Sequence, residues 1–257
     1  MRYVKKMPAT SETKYVVMAT WDDAPHLTAE QKEELWAGIP PHQRDARTKG
    51  IPQLGSGAIY PIIEERITVD DFVIPDFWPR AYALDVGWSW TAALWGAWDR
   101  QSDTVYLYSC YKQGQADPPV HAEAIKSRGD WIPGVIDPAA NGRSQKDGHR
   151  LYDEYLSLGL LLDLSENAVE AGIFAVWRRM VSGRLKVFKS LGPWFEEFRL
   201  YRRDENGKIV KDNDHLMDCM KYLILSGMAI AADEMTATSD YAKEFKNYQG
   251  HNKTTGY

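Results

Sequence analysis

Residues 81–111 read AYALDVGWSWTAALWGAWDRQSDTVYLYSCY, and the fold is decided there. Three apolar segments of strand length, 81–86, 91–98 and 104–111, are separated by gaps of four or five residues. The gaps, Gly87-Trp88-Ser89-Trp90 and Asp99-Arg100-Gln101-Ser102-Asp103, are short enough for hairpins and too short for a crossover, so the three strands form an antiparallel meander. One residue is out of character: Asp85 interrupts a strand whose other members are apolar.

Downstream of the meander, helices and strands alternate. Pro118 and Pro119 open a helix over 120–127, where a missing N–H does no harm. Residues 132–136 make a fourth strand that runs out at Asp137-Pro138. Leu151, Tyr155 and Leu158 give a helix over 146–158, ended by Gly159; residues 160–164 make a fifth strand and 168–182 a helix with Gly183 past its end. A short strand over 184–189, an aromatic-rich helix over 192–203 and a long helix over 213–232, capped by Asn213 or Asp214, follow. Asn206-Gly207, between Arg203 and Ile209-Val210, is the strongest tight-turn signal in the chain. This order gives an α/β architecture: a mixed sheet, three antiparallel strands and then parallel ones, flanked by helices.

Upstream, residues 15–20 suit a buried strand, and Thr28-Ala29-Glu30-Gln31 is a capping box that opens a helix to about residue 37. Gly and Pro then crowd 38–57, which marks a boundary. The expected division is an attachment over 1–60, the main domain over 61–232 and a polar tail over 233–257.

The chain has 257 residues, 44% hydrophobic and 26% charged, which excludes global disorder and coiled coil. No apolar run is long enough to span a bilayer and no secretory signal follows the basic start, so Cys110 and Cys219 are expected as reduced thiols in a cytosol. A net charge of −5 argues against a globally basic nucleic-acid binder, but the charge is uneven: net −6 over 81–177 and net +6 over 178–211. That pattern fits a carboxylate site beside a cationic rim, or ordinary solvated faces. No Gly-x-x-x-x-Gly-Lys-Ser/Thr occurs, so nothing supports ATP binding by a phosphate loop.

Three acids stand out. Asp85 interrupts a strand, Asp137 ends one, and Asp218 lies in the apolar stretch Leu216-Met217-Asp218-Cys219-Met220, where a charge is costly unless paired or metal-bound. A strand parallel to the first would bring Asp137 beside Asp85, and a helix crossing there would add Asp218, with Asp214 one turn earlier. Converging carboxylates suit Mg²⁺ or Mn²⁺ and not zinc. Each acid also has a plainer reading: Asp85 before the Gly87 turn, Asp137 as a turn initiator before Pro138, Asp218 paired with Lys221. His215 is either a donor beside the acids or a polar helix start. Trp88 and Trp90 are expected in the core, with base stacking as the alternative. Asp22 and Asp23 read as a turn or cap, and no Ser or Cys nucleophile has a partner set.

Three motifs carry a resemblance: Tyr82-Ala83-Leu84-Asp85-Val86-Gly87, Val135-Ile136-Asp137-Pro138-Ala139 and Asp214-His215-Leu216-Met217-Asp218-Cys219-Met220-Lys221-Tyr222. Together they resemble the nuclease domain of tailed-phage terminase large subunits. The third, Asp-His-x-x-Asp-(small)-x-(Lys/Arg)-Tyr, is the most specific; Cys219 stands for the usual Ala and Lys221 for the usual Arg. Residues 19–27 and 50–61 resemble the end of the packaging ATPase domain and its linker, while the ATPase core itself is missing. The resemblance implies an RNase H-like fold and a metal-dependent endonuclease that cuts concatemeric double-stranded DNA. Asp85, Asp137 and Asp218 match the family's metal-binding acids and Asp214 is a helper; Asp85 would bridge two Mg²⁺ or Mn²⁺ ions. His215 would stand behind them, and Asn206-Gly207 matches an accessory hairpin. Arg178, Arg179, Arg184, Lys186, Arg202 and Arg203 are the expected phosphate contacts. The implied partners are DNA, the portal protein and the small terminase subunit, in the host cell cytoplasm and without a membrane. The alternatives are another RNase H-like nuclease, of resolvase or transposase type, and a non-catalytic DNA-binding or portal-docking module.

Overall fold

The computed structural model describes residues 20–21, 24, 26–38, 48, 57–142, 150–204 and 206–235. The chain divides into two compact units, residues 1–63 with 199–210, and residues 64–198 with 211–257.

In the first unit, helix α1 (Ala29–Gly38) begins where expected. Gln31 N donates to Thr28 Oγ1 at 3.3 Å and Thr28 N to Gln31 Oε1 at 3.0 Å, so two orphan donors are satisfied reciprocally. The Asn206-Gly207 turn is also present. Gly207 has φ 77°, and an antiparallel bridge joins Arg203 to Ile209. A second bridge joins Ala58 to Arg202. The expected strand over 15–20 lies outside the described residues except for Thr20, as do most of the loop over 38–57, residues 143–149, Asp22 and Asp23.

The second unit is built on a seven-stranded sheet: β1 (Thr68–Val69), β2 (Arg80–Asp85), β3 (Thr91–Asp99), β4 (Thr104–Gln113), β5 (Gly134–Ile136), β6 (Leu162–Leu164) and β7 (Leu185–Phe188). Their order across the sheet is β1-β7-β4-β3-β2-β5-β6. The meander is as read: β2 pairs antiparallel with β3, and β3 with β4. The remaining strands join in parallel, β5 to β2, β6 to β5, β7 to β4 and β1 to β7. Strand β1, at the edge, was not expected; two residues carry no periodicity to detect.

Strand alternation sorts the two faces. Tyr82 and Leu84 join Ala93, Trp95 and Ile136 in a buried cluster with Ala122 and Ile125 of α3 (Pro118–Lys126) and Tyr155 of α4 (Leu151–Ser157), where α2 is the short Glu64–Ile67. Asp85, offset by one residue from Leu84, belongs to the opposite face. There lie α5 (Val169–Val181) and the C-terminal helical stretch; α6 (Gly192–Leu200) follows β7 in the chain. That stretch is not the single long helix expected over 213–232. It is α7 (His215–Tyr222), a π-helical turn over Leu223–Gly227, and α8 (Met228–Ile230). It presses close to the sheet: a Cβ on Gly96 of β3 would lie 2.9 Å from Leu223 Cδ2. No helix among the described residues is long and apolar enough to cross a membrane.

Candidate active site

Register places the first two acids. Leu84 of β2 is opposite Ile136 of β5, so the parallel pair ends with Asp85 and Asp137 side by side. Asp137 N donates to Leu84 O at 3.0 Å, which fixes the chain there. The Asp137 carboxylate accepts from Ala139 N at 2.9 Å and caps the 3₁₀ turn Pro138–Asn141. The turn-initiating reading of Asp137 is therefore realised, in the place that also faces Asp85. Sheet sites at the carboxyl ends of parallel strands follow the same geometry.

The third acid comes on α7. His215 at its start donates from Nδ1 to Asp85 Oδ2 at 2.8 Å. One turn later, Asp218 is bracketed by two ammonium groups: Lys221 Nζ meets Oδ1, and Lys211 Nζ lies 2.9 Å from Oδ2. Lys211 Nζ also stands 2.9 Å from Asp214 Oδ2. Asp214 does not cap the helix with its side chain, contrary to expectation. Glu197 of α6 does that work from outside, accepting from Leu216 N at 2.6 Å and from Lys112 Nζ at 2.6 Å.

The electrostatics follow from burial. Asp85's pKa is raised above the ordinary carboxylate value, first by burial; the His215 hydrogen bond opposes this, while Asp218 and Asp137 add to it. His215 is raised chiefly by its bond to Asp85, and Glu197 is raised by burial against the pull of Lys112. The Tyr222 phenol is pushed up by burial and, beyond that, by Asp137, Asp218 and Asp85 together. One buried hydroxyl thus feels all three acids, which come from three separate elements.

The donors are hard oxygens, and two of them, Asp214 Oδ2 and Asp218 Oδ1, are buried without a hydrogen-bond partner and answered only by ammonium contacts. Such a set suits Mg²⁺ or Mn²⁺. Each acid is turned toward its own cation or backbone donor, and among the described residues no group of three His, Cys, Asp or Glu is arranged to hold a metal ion. Trp88 and Trp90, expected in the core, are instead exposed beside Asp85, and Lys112 Nζ lies 5.0 Å over the Trp90 ring. Glu197, Lys112, Lys211 and Tyr222 escaped the sequence reading as site residues. Only Glu197, an acid amid Trp194, Phe195 and Phe198, left a signal that the reading could have used.

The basic residues fall elsewhere. Asp85 pairs with Ala92 at one end of the meander, while Asp99 pairs with Thr104 and Val105 with Leu185 at the other. The nine residues of β3 separate these ends by about 25 Å. Arg178, Arg179 and Arg184 line a pocket of about 170 Å³ with Asp103, at the end remote from the acids. Arg179 and Arg184 are ion-paired to Asp103. Lys186 donates to Arg66 O at 2.7 Å. Arg202 and Arg203 belong to the first unit. Both cysteines are free thiols, as expected.

Residues 83–226 match a protein family described as a terminase RNaseH-like domain. The large terminase subunit of Salmonella phage P22 is 40% identical over 222 residues, covering 82% of this chain and 44% of its own length. That of Enterobacteria phage LP7 is 40% identical over 222 residues, covering 82% of this chain and 46% of its own. The chain thus spans less than half the length of these curated relatives. The P22 large terminase nuclease domain superposes with a TM-score of 0.65 at 34% identity, over 71% of this chain and 98% of that one. The large terminase of a thermophilic bacteriophage shares the fold, with a TM-score of 0.57 at 18% identity over 80% of this chain and 54% of that one.

Proposed function

The chain belongs to the terminase RNaseH-like domain family, and from that premise we propose that it is a metal-dependent endonuclease that cuts concatemeric double-stranded DNA during viral genome packaging. The observation that carries this reading is a convergence of three elements: the paired ends of β2 and β5 set Asp85 beside Asp137, and the bond from His215 to Asp85 brings in α7, which carries Asp218 one turn on. Asp85, Asp137 and Asp218 would hold Mg²⁺ or Mn²⁺, in our reading two ions, with Asp214 as a helper. Bound there, such ions supply an activated water and stabilise the leaving oxygen of a phosphodiester. The chain's own part is positioning. His215 holds Asp85 through one of its two oxygens, Oδ2. Glu197 fixes the start of α7, and with it Asp218. Tyr222, at the end of α7, is buried at 7% exposure.

DNA would be held through phosphates. Arg178, Arg179, Arg184 and Lys186 would touch backbone far from the cut, and Arg202 and Arg203 would add contacts from the first unit. Residues 1–60 read as the end of an ATPase domain with its linker, 61–232 as the nuclease and 233–257 as a tail. The portal protein and the small terminase subunit are the partners we assign, in the host cytoplasm.

Plasmid nicking with Mg²⁺ or Mn²⁺, with and without chelator, is the test. Metal-dependent nicking lost in Asp137→Asn and Asp218→Asn, with folding intact, is expected. DNA binding without any nicking would establish the docking-module reading instead, which the ammonium-occupied acids favour. A strong preference for branched DNA would point to the resolvase type.

A further inference from the structure

Two lysines touch Asp218, and they are not equivalent. Lys221 lies one turn along α7, with a side chain 4% exposed, and is as fixed as the helix. Lys211 sits in the loop that enters α7, its side chain 58% exposed on a flexible four-carbon stem. Its ammonium joins Asp214 to Asp218, at 2.9 Å from each Oδ2. The two carboxylates are close, buried and like-charged, and Asp214 Oδ2 has no hydrogen bond of its own. Two carboxylates held this close repel each other, and a cation between them offsets the repulsion. Lys211 is the one on the page, and a hard divalent ion would seek the same oxygens.

We propose that Lys211 is a built-in competitor for the metal site: its ammonium holds Asp214 and Asp218 together in the metal-free protein and swings into solvent when a divalent ion takes them. The solvent-exposed stem is what makes the exchange feasible, since no packed element has to move. Lys221 stays in place on Asp218 Oδ1 and keeps that carboxylate oriented through the exchange. The proposal rests on reading these acids as the metal site.

The experiment is Mn²⁺ titration by calorimetry on the whole chain, together with thermal melting in chelator. Lys211→Ala is expected to bind Mn²⁺ about tenfold more tightly, the worth of one charge-assisted bond no longer to be broken. The same variant should melt at a lower temperature in chelator, because Asp214 and Asp218 lose their shared cation. Metal affinity and metal-free stability thus move in opposite directions. Lys211→Arg should restore both values toward wild type. Lys211→Gln, which keeps a hydrogen-bond donor without the charge, replaces Lys211→Ala if that variant fails to fold. Mn²⁺ binding of equal or lower affinity in the uncharged variant overturns the proposal and leaves the nuclease reading standing. Absence of Mn²⁺ binding in wild type and variant alike overturns both. Binding gained only in the variant supports the proposal.

Discussion

The sheet carries an acid beside a cation at each of its ends, and the two arrangements behave oppositely. At one end Asp103 closes the β3–β4 turn with φ 51°. It accepts from Trp98 Nε1 at 3.1 Å and from Arg184 at 2.9 Å, and pairs with Arg179. Burial works to raise its pKa, but Arg179, Trp98 and Arg184 together overcome that and lower it. At the other end the Asp85 side chain has, among the described residues, one donor, His215, and two carboxylate neighbours, and burial raises its pKa. The first acid has all the donors it needs and serves a turn. The second is left with unmet charge demand, and groups kept in that condition cluster where chemistry is done.

Exchanging the carboxylates for amides separates the two ends most sharply. Asp85→Asn should lower metal-dependent nicking on the order of 10³-fold, the scale of losing a charge aimed at the reacting centre. Asp103→Asn should leave nicking unchanged. Urea unfolding should show the reverse bias: Asp103→Asn slightly destabilises, while Asp85→Asn leaves stability equal or higher because a strained buried charge is gone. Nicking lost on changing Asp103 and kept on changing Asp85 would break the comparison outright.

The next effect tests what positions the acidic end. Glu197 is 2% exposed and joins Lys112 to the α7 N-terminus. Glu197→Ala leaves the Leu216 N–H without its acceptor and Lys112 with only Asn213 Oδ1 at 3.5 Å and the Trp90 ring, at a cost of about 2 kcal/mol. Glu197→Gln retains an acceptor and should lose less. Denaturant midpoints measure this, and a loss no larger than that of an exposed ion pair would show that α7 holds its place without Glu197.

The two ends were not equally legible in the sequence. The meander was, because gaps of four and five residues leave only hairpins. Asp85 and Asp137 stood out too, the first as a charge interrupting an apolar run and the second as one ending it. Glu197 was visible only as an acid among aromatics; its role was not, since its partners Lys112 and Leu216 lie 85 and 19 residues away and meet it only through the fold. The cationic stretch 178–211 misled in a different way. Charge clustered along the chain is scattered in space, because the direction of β7 carries Arg184 to the far end and the Asn206-Gly207 segment belongs to the other unit. Trp88 and Trp90 went wrong because aromatic content alone does not say which side of a hairpin loop faces solvent. The π-helical turn at Leu223–Gly227 leaves the same apolar pattern as a plain helix.

Acidity gives a smaller contrast. His215 titrates above 6.5 in the folded protein, so its contribution is complete below that value and is lost as pH rises through the folded pKa. Asp85, raised above 3.8, works in the same direction at lower pH: the fold holds its proton where the unfolded chain has released it. Asp103, lowered below 3.8, contributes above that value and loses its contribution as pH falls through the folded pKa. In chelator, stability should therefore decline between about pH 6 and pH 8 by under about 1 kcal/mol, given the partly exposed ring. His215→Asn should flatten that decline and leave the acid limb set by Asp103 in place. An unchanged slope would separate the histidine from Asp85.

The smallest effect belongs to the Arg-rich end and sharpens the comparison from its quiet side. Arg184 and Asp103 are both well exposed, at 49% and 40%, so water already solvates much of what their contact supplies. Arg179 and Trp98 keep Asp103 partnered when Arg184 is removed. Arg184→Ala should therefore cost only about 0.5 kcal/mol, and less at high salt. If phosphates are gripped at this remote end, the same change weakens duplex binding and reduces its salt slope by about 1, with no change in the nicking rate at saturating DNA. Paired measurements of unfolding and of DNA affinity against salt decide between a turn clamp and a phosphate contact. A binding loss with stability held would make this end a second DNA surface, whereas a stability loss with binding held confines Arg184 to the β3–β4 turn.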